Sequence, residues 1–506
     1  MSPKQYILAY DLGTTGTKAI LINTMGHIIA SGSYNYETNY LRPNWVEQNP
    51  KDWKKAIRDT TQQVLTKAKI QPQHIAAVSF SGHMNGAVLV DQKGIPLRSA
   101  IIWADQRATQ QAETISQLCG NSEVYQLTGN RVSAAYTLAK LLWIKENEPE
   151  IFSKTHKVLQ AKDYAAFTLC EVFATDYSDA SLTQMLDLHQ RCWANQILEP
   201  LGIPLEKLPT IYPSAKVIGE VTTAAAQETG LQAGTPVVIG GGDGACATVG
   251  AGAIREGDIY TYIGSSSWVA LTSKNPLLDE QQRTFNFLHL DPEFCVPVGT
   301  MQTAGGALDW FDSLLHDGKE QSKLYEELNL AASFVPPGGN GLIFLPYLLG
   351  ERSPYWNPHA RSAFIGLAMP DRRAELARAV LEGVAFNLRI ILDILLSRGA
   401  KVHAMRLIGG GGKSLVWRQI LADIFNLPLL VVNLPAAATA MGAALAGGIG
   451  VGIFPDYSVI RDLVPVTEDA TPDPKTRERY EALYGIFTDS YKALEPIYER
   501  LANLPK

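Results

Sequence analysis

Tyr6-Ile-Leu-Ala-Tyr-Asp-Leu-Gly-Thr-Thr-Gly-Thr-Lys-Ala-Ile-Leu-Ile22 is the stretch from which the fold of this chain can be read. Tyr6 to Tyr10 is one run of β-formers and Lys18 to Ile22 another, joined by small residues from Asp11 to Thr17. Aromatic and β-branched residues bounded by glycine read as strands. Met25-Gly26 supplies a second turn and His27 to Ala30 a third strand, so a meander opens a mixed sheet. Helical patterning from Trp53 to Lys69 then precedes a buried strand, Ile75 to Phe80, that ends at Ser81-Gly82. This alternation predicts an α/β fold.

The theme returns further along. Pro236 to Ile239 reads as a strand ending in Gly240-Gly-Gly-Asp-Gly244. Ile259 to Ile263 turns at Gly264-Ser-Ser-Ser267 into Trp268 to Thr272, a strand–small turn–strand unit that mirrors Tyr6 to Ile22. Two halves opening alike suggest a duplicated domain with a cleft between. The boundary is expected just after Asp243, dividing the chain into residues 1–248 and 249–506, with Gly250-Ala-Gly252 as a small-residue hinge. Asp371 to Ser397 is a long helical pattern stopped by Gly399. Lys475 to Leu501 is another, its stripe of Tyr480, Leu483, Tyr484, Phe487, Tyr491 and Leu494 expected to pack on the second half.

Composition excludes several classes. The 506 residues are 46% apolar and 19% charged, which rules out disorder and collagen-like repeats. A net charge of -6 argues against nucleic acid as a partner bound through broad positive charge. Five cysteines, an odd number with no C-x-x-C pair, fit buried thiols in a reducing compartment, and no H-x-x-x-H spacing suggests zinc. The N-terminal apolar run is too short for a signal peptide and is broken by Asp11; no run of about 18 apolar residues would span a membrane. A cytoplasmic protein without a membrane partner is expected.

Four segments carry chemistry-bearing residues. In Asp11 to Lys18, Gly13 and Gly16 permit a tight turn, Thr14, Thr15 and Thr17 add hydroxyls, Lys18 a cation and Asp11 a carboxylate suited to water-mediated Mg²⁺. The alternative is a plain hairpin turn. Gly240-Gly-Gly-Asp243-Gly-Ala245 loosely fits a dinucleotide fingerprint, but that wants an acidic residue about 20 positions on, where Gly264-Ser265 stands. Asp243 itself is the better functional group, a carboxylate able to take a proton from a hydroxyl; it could equally cap the helix that follows. Gly409-Gly-Gly-Gly-Lys-Ser414 is not a P-loop, since position 407 is leucine, yet its glycines admit a flat ring or a phosphate, or simply make a turn. Ser81-Gly-His-Met-Asn-Gly86 places His83 and Asn85 at a strand end, suited to a polyol, though His83 alone could be an ordinary surface histidine. Gly264-Ser-Ser266 is not a serine-hydrolase elbow, because Trp268 takes its last position.

Two longer patterns join these pieces. Thr137-x-x-Lys140-Leu-x-Trp143-Ile, with Ala135 as its one departure, and Ser362-x-Phe-x-Gly366-Leu followed by Glu375-Leu-x-x-Ala-Val-Leu-Glu382 resemble the two signatures of the FGGY family of carbohydrate kinases. The resemblance covers nearly the whole chain and implies two actin/hexokinase-like (ribonuclease H-like) domains with an interdomain cleft. Gly350-Glu-Arg-Ser-Pro-Tyr-Trp356, Thr175-Asp-Tyr-Ser-Asp-Ala-Ser181, Ile102-Trp-Ala-Asp-Gln-Arg107 and Trp417-Arg-Gln-Ile-Leu-Ala-Asp423 look like the xylulokinase branch. Carried over residue by residue, the resemblance makes Asp243 the general base and gives Asp11, with Asp243, to Mg²⁺. Thr14, Thr15 and Lys18 would hold ATP phosphates, with Gly264, Ser265 and Gly306 opposite. Gly409, Gly410 and Ser414 would lie along the adenosine. His83, Met84, Asn85, Trp103, Asp105 and Gly244 would meet the sugar. The implied reaction phosphorylates the terminal hydroxyl of a ketopentose, D-xylulose first, with D-ribulose, another ketose or gluconate next; a homodimer is expected because dimers are common in the family. An actin- or chaperone-like ATPase without sugar chemistry and an NAD-dependent dehydrogenase are the competing classes. Two positions depart from the branch: S-G-Q-M-H-G is replaced by Ser81 to Gly86 as written, and the usual Asn after the base is Gly244. Losing that amide removes a donor and an acceptor, worth about 1–3 kcal/mol to a buried sugar hydroxyl, so the acceptor is less fixed than the phosphate chemistry.

Overall fold

The computed structural model describes residues 5–315, 321–432 and 437–504. Two seven-stranded sheets organise them. In the first, Tyr6–Leu12 pairs antiparallel with Gly16–Asn23, and that strand pairs antiparallel with Ile28–Asn35. The other side of Tyr6–Leu12 lies parallel to Ile75–Gly82, then Pro236–Val238 parallel and Val217–Glu220 antiparallel. The second sheet repeats this order. Ile259–Ile263 pairs with Ser267–Leu271 and that with Cys295–Met301, all antiparallel. On its other side come Met405–Ile408 and Leu429–Val432, both parallel, then Val466–Ala470 antiparallel. Phe285–Leu288 adds an outer edge. The duplication suggested by the two small-residue hairpins is thus present in the hydrogen bonding.

Several boundaries have visible local causes. The third strand runs on past Ala30 to Asn35, through Ser31-Gly-Ser33, whose composition hides a strand of largely exposed alternation. The helix Pro50–Ala68 begins where Asn49 accepts the Lys51 N–H at 3.1 Å and ends at Lys69, in the left-handed region at φ 53°. Trp53, Ile57 and Val64 bury its inner face on the first sheet. Arg373–Ser397 starts after Arg372, whose N–H is held by the Glu375 carboxylate at 2.8 Å. The C-terminal helix, Arg477–Ala502, buries Tyr480, Phe487 and Tyr491 in the core of the second sheet, as its stripe predicts.

What joins the two halves is a pair of crossing helices, Asp243–Gly250 and Ala438–Gly450. They approach so closely that a Cβ at Gly250 would lie 2.1 Å from the Ala438 carbonyl oxygen, and one at Gly442 would lie 2.2 Å from that of Cys246. Gly250 therefore serves close packing, while the chain turns at Gly252, φ 72°. Ala438–Gly450 follows a strand of the second sheet yet packs on the first: a Cβ at Gly447 would stand 3.0 Å from side-chain atoms of both Ile7 and Ser79. One apolar core, including Ile7, Val249, Tyr260, Val298 and Met441, runs between the sheets. All five cysteines are free. Among the described residues, no helix is long and apolar enough to cross a membrane.

Candidate active site

Between the sheets opens a cavity of about 310 Å³. The first half contributes Thr14, His83, Met84, Asn85, Trp103, Asp243 and Gly244 to its wall. These residues come from four separate segments: three follow strands of the first sheet, and Trp103 follows Ala100–Ile101 of a small separate sheet.

Asp243 opens its helix, and its Oδ1 accepts the Gly244 N–H at 2.7 Å. Gly240 turns the chain towards it at φ 69°; a Cβ there would sit 1.8 Å from the Phe80 carbonyl oxygen. A Cβ at Gly242 would meet Met84 Cε at 2.5 Å, so glycine lets Met84 close the cavity floor. Burial, and then the charge of Asp11, push the Asp243 carboxyl up to about 7. Asp11 is raised to about 6 by burial, partly offset by Ser81 and by Lys18, which faces it across the hairpin. Two carboxylates whose charges couple at the mouth of a cavity suit a divalent cation. Among the described residues, no group of three or more His, Cys, Asp or Glu side chains could hold a metal alone. A Mg²⁺ here would complete its shell from water and phosphate oxygens.

The Asp11–Lys18 turn is closed by the Gly13 N–H on the Gly16 carbonyl at 3.0 Å. Its other carbonyls are taken from outside. Tyr36 Oη donates to Gly13 at 2.5 Å, Gln48 Nε2 to Thr14 at 2.6 Å, and the Tyr36 N–H to Thr15 at 3.2 Å. In a trans peptide the N–H points opposite the C=O. The amides of Thr14, Thr15 and Gly16 are therefore presented on the other side, a ready anion nest. The second sheet builds the same device. Gly264 and Ser265 carbonyls accept from Gly305 N at 2.8 Å, Ala304 N at 2.8 Å and Gly306 N at 3.1 Å, which leaves the amides of Ser265 and Ser266 facing away.

His83 is buried, and neither ring nitrogen has a hydrogen-bond partner among the described residues; the same holds for Asn85 Oδ1 and Thr300 Oγ1. All three residues line the cavity. Burial, and then nearby Lys140, push the imidazole down to about 4, so His83 offers one donor and one acceptor. Asn85 sits at φ 63°, held there by Lys140 Nζ on its carbonyl at 2.7 Å. Buried polar groups left unmet by the protein are costly; a ligand rich in hydroxyls would satisfy all of them. Trp103 Nε1 donates to Thr14 Oγ1 at 2.9 Å and so ties the Trp103 side of the cavity to the Asp11–Lys18 turn.

Not every expected residue stands where the resemblance put it. Asp105 does not line the cavity. It is fully buried, with Arg107 Nη2 at 2.7 Å from Oδ2 and the Arg107 N–H at 2.9 Å from Oδ1, because an isolated buried carboxylate needs a cation. It braces the Trp103 loop from behind. Ser414 is the cap of Leu415–Phe425, accepting the Trp417 N–H at 3.2 Å and donating to Asn329 Oδ1 at 2.5 Å, so its hydroxyl proton is already committed. Gly264, Ser265, Gly409 and Gly410 lie outside the cavity lining, at strand ends of the second sheet, and so does Gly306, at the start of the helix Gly305–Leu315. A Cβ at Gly409 would stand 2.5 Å from the Ile263 carbonyl oxygen, whereas one at Gly410 would meet nothing within 4 Å.

The cavity also has a wall that local sequence did not reveal. Tyr260, Trp268, Phe287, Thr300 and Arg352 come from the second half. Phe287 stands 3.2 Å from where a Gly244 Cβ would be, filling the space of the missing Asn. Arg352 was visible within the Gly350-Glu-Arg pattern, but nothing local assigns it to a cavity.

Comparison with known proteins agrees with this geometry. Residues 6–250 match the N-terminal domain and residues 259–451 the C-terminal domain of the FGGY family of carbohydrate kinases. The chain is 32% identical over 504 residues to a xylulose kinase of Bacillus subtilis (strain 168), covering 99% of this chain and 100% of that one. It is 31% identical over 509 residues to a gluconokinase of the same strain, covering 98% of each. The crystal structure of a gluconate kinase from Lactobacillus acidophilus superposes with a TM-score of 0.92 at 29% identity, over 98% of this chain and 99% of that one. The repeated sheets are the two domains of an actin/hexokinase-like fold. The chain belongs to the FGGY family of carbohydrate kinases and is a phosphotransferase that acts on a sugar hydroxyl.

Proposed function

We propose that the chain transfers the γ-phosphoryl group of ATP to the terminal primary hydroxyl of an open-chain sugar, D-xylulose first, giving D-xylulose 5-phosphate. The observation that carries this is Asp243: one carboxylate at the junction of a cavity with unmet polar groups and a turn with outward amides. In the proposed reaction, His83, Asn85 and Thr300 orient the hydroxyls and Asp243 accepts the proton of the attacking one. That oxygen then bonds to the γ-phosphorus as the bond to ADP breaks. Thr14, Thr15 and Lys18 hold the phosphates from one side, Gly264, Ser265 and Gly306 from the other, and Gly409 and Gly410 lie along the adenosine. Asp11 and Asp243 would hold Mg²⁺, which when bound neutralises phosphate charge. Residues 1–248 and 249–506 would close about the crossing helices to exclude water, a competing acceptor.

Arg352 supports a second acceptor. Its Nε donates to Gln302 Oε1 at 2.7 Å, and among the described residues it forms no ion pair. A cavity-lining guanidinium that feels the Glu351 charge but makes no close ion pair with it suits an acid such as gluconate, and a gluconokinase is among the relatives. ADP release measured over D-xylulose, D-ribulose, gluconate and glycerol separates the readings. Highest kcat/KM on D-xylulose supports the first. Highest on gluconate, with selective loss in Arg352→Gln, supports the second. ATP turnover indifferent to all four overturns both.

A further inference from the structure

Behind Asp243, on the side away from the cavity, lies a buried cluster outside the chemistry above. Lys162 Nζ stands 2.6 Å from Asp163 Oδ1, 2.9 Å from Asp176 Oδ1 and 3.3 Å from Asp179 Oδ2, every side chain at most 1% exposed. Asp176 Oδ2 accepts from Ser178 Oγ at 2.6 Å and Ser214 Oγ at 2.7 Å. Ser178 Oγ in turn accepts the Gly242 N–H at 2.9 Å. The chain of contacts thus ends one peptide before Asp243. A Cβ at Gly241 would lie 2.8 Å from Ser178 Oγ, so the turn rests directly on this serine. The stem of Lys162 also supports the other ligand loop, 2.9 Å from where a Gly82 Cβ would be.

We propose that Ser178, held by Asp176 and Lys162, is a positioning residue for Asp243: it fixes the Gly241-Gly242 peptide from behind and so sets where the carboxylate meets the acceptor hydroxyl. The proposal rests on Asp243 being the base. Charge explains why the support is rigid. The ammonium is clasped by Asp163 and Asp176 at 2.6 and 2.9 Å, with Asp179 at 3.3 Å beyond. Burial pushes Asp179 well above the usual carboxylate range, with the neighbouring carboxylates adding to it. Such a cluster has a single good arrangement, and Ser178 transmits it through one hydrogen bond. Misplacing a reacting group by about 1 Å costs up to roughly 100-fold in rate.

The test is a double-mutant cycle on the full chain with MgATP and the sugar it accepts best. Ser178→Ala removes one oxygen and is expected to lower kcat about tenfold, with KM for sugar and for ATP within about twofold. In an Asp243→Asn background the same change should cost less than about twofold, because a positioning residue loses its effect once the positioned group is gone. Lys162→Met should lower kcat further where it folds; Ser178→Ala decides the matter where it does not. Wild-type kcat in Ser178→Ala, or equal fold losses in both backgrounds, would overturn the proposal. Full activity in Asp243→Asn would instead remove the base assignment, whatever Ser178→Ala shows.

Discussion

Asp11 and Gly241 flank one strand at the same register: Asp11 pairs with Ser81 from one side and Gly241, two residues before Asp243, pairs with it from the other. Two segments far apart in the chain are thereby aligned in one sheet, with Asp243 two residues beyond the register of Asp11. After burial, the charge of Asp11 helps raise the Asp243 carboxyl. The Gly13–Thr17 turn follows Asp11 directly and the His83–Asn85 segment follows Ser81 directly, so register puts that turn, the approach to Asp243 and the His83 segment side by side.

Removal of the base is the first expectation. Asp243→Asn should lower kcat by about 100- to 10,000-fold, the usual range for losing a general base. Nucleotide affinity should stay within a few-fold, since the outward amides of the Thr14 turn are untouched. Steady-state kinetics with calorimetric ATP binding checks both. Asp11→Asn should weaken the response to Mg²⁺ titration, which an unchanged Mg²⁺ dependence would refute.

The same substitution should stabilise the protein, in a pH-dependent way. The Asp243 carboxyl is raised from 3.8 to about 7 on folding, so the folded chain binds its proton more tightly than the unfolded chain. Its stabilising contribution is complete below about pH 4 and lost as pH rises through about 7. At pH 8 the ionised group opposes folding, and Asp243→Asn should melt about 3–6 °C higher than the parent. At pH 4 that gain should vanish. Paired scanning calorimetry at the two pH values reads this directly.

His83→Ala should damage sugar binding more than nucleotide binding. The imidazole is neutral and unpartnered in the cavity wall, and losing one donor–acceptor pair to a hydroxyl costs about 1–3 kcal/mol. KM for sugar should rise roughly 5- to 100-fold with KM for ATP nearly constant. Equal changes in both would show that His83 supports the loop rather than the ligand.

Two glycines should behave oppositely. Gly250→Ala places a methyl 2.1 Å from a backbone oxygen at the helix crossing and should lower Tm by about 1–4 °C. Gly410→Ala meets no protein atom within 4 Å. It should leave Tm unchanged and raise KM for ATP several-fold if adenosine occupies that space. Thermal melts of both variants, with ATP kinetics on Gly410→Ala, separate packing from ligand room.

Much of this was legible before any coordinates. The meander at Tyr6 and its echo at Ile259 expose the duplication, because strand period and small-residue turns are local properties. Asp11 and Asp243 stand out for a like reason: each is a charged residue at the end of a buried apolar run. Asp105 did not lend itself to this. Its neighbours in sequence say nothing of Arg107 turning back onto it, and a buried carboxylate goes where its cation is. Ser414 likewise reads as a ligand contact or a helix cap from sequence, and only Trp417 and Asn329 in place show the cap.

From sequence alone came the α/β class, the duplicated halves, the small-residue turn after Asp11 and the acidic residue on the triple-glycine bend, since each rests on spacing within a few residues. Tertiary structure alone decided which polar atoms remain unmet in the cavity, that Arg352 and Phe287 close it from the second half, and that Ser178 stands beneath Gly242. Those facts depend on contacts between residues far apart in the chain, and burial and charge at such contacts belong to the packed molecule rather than to any segment of it.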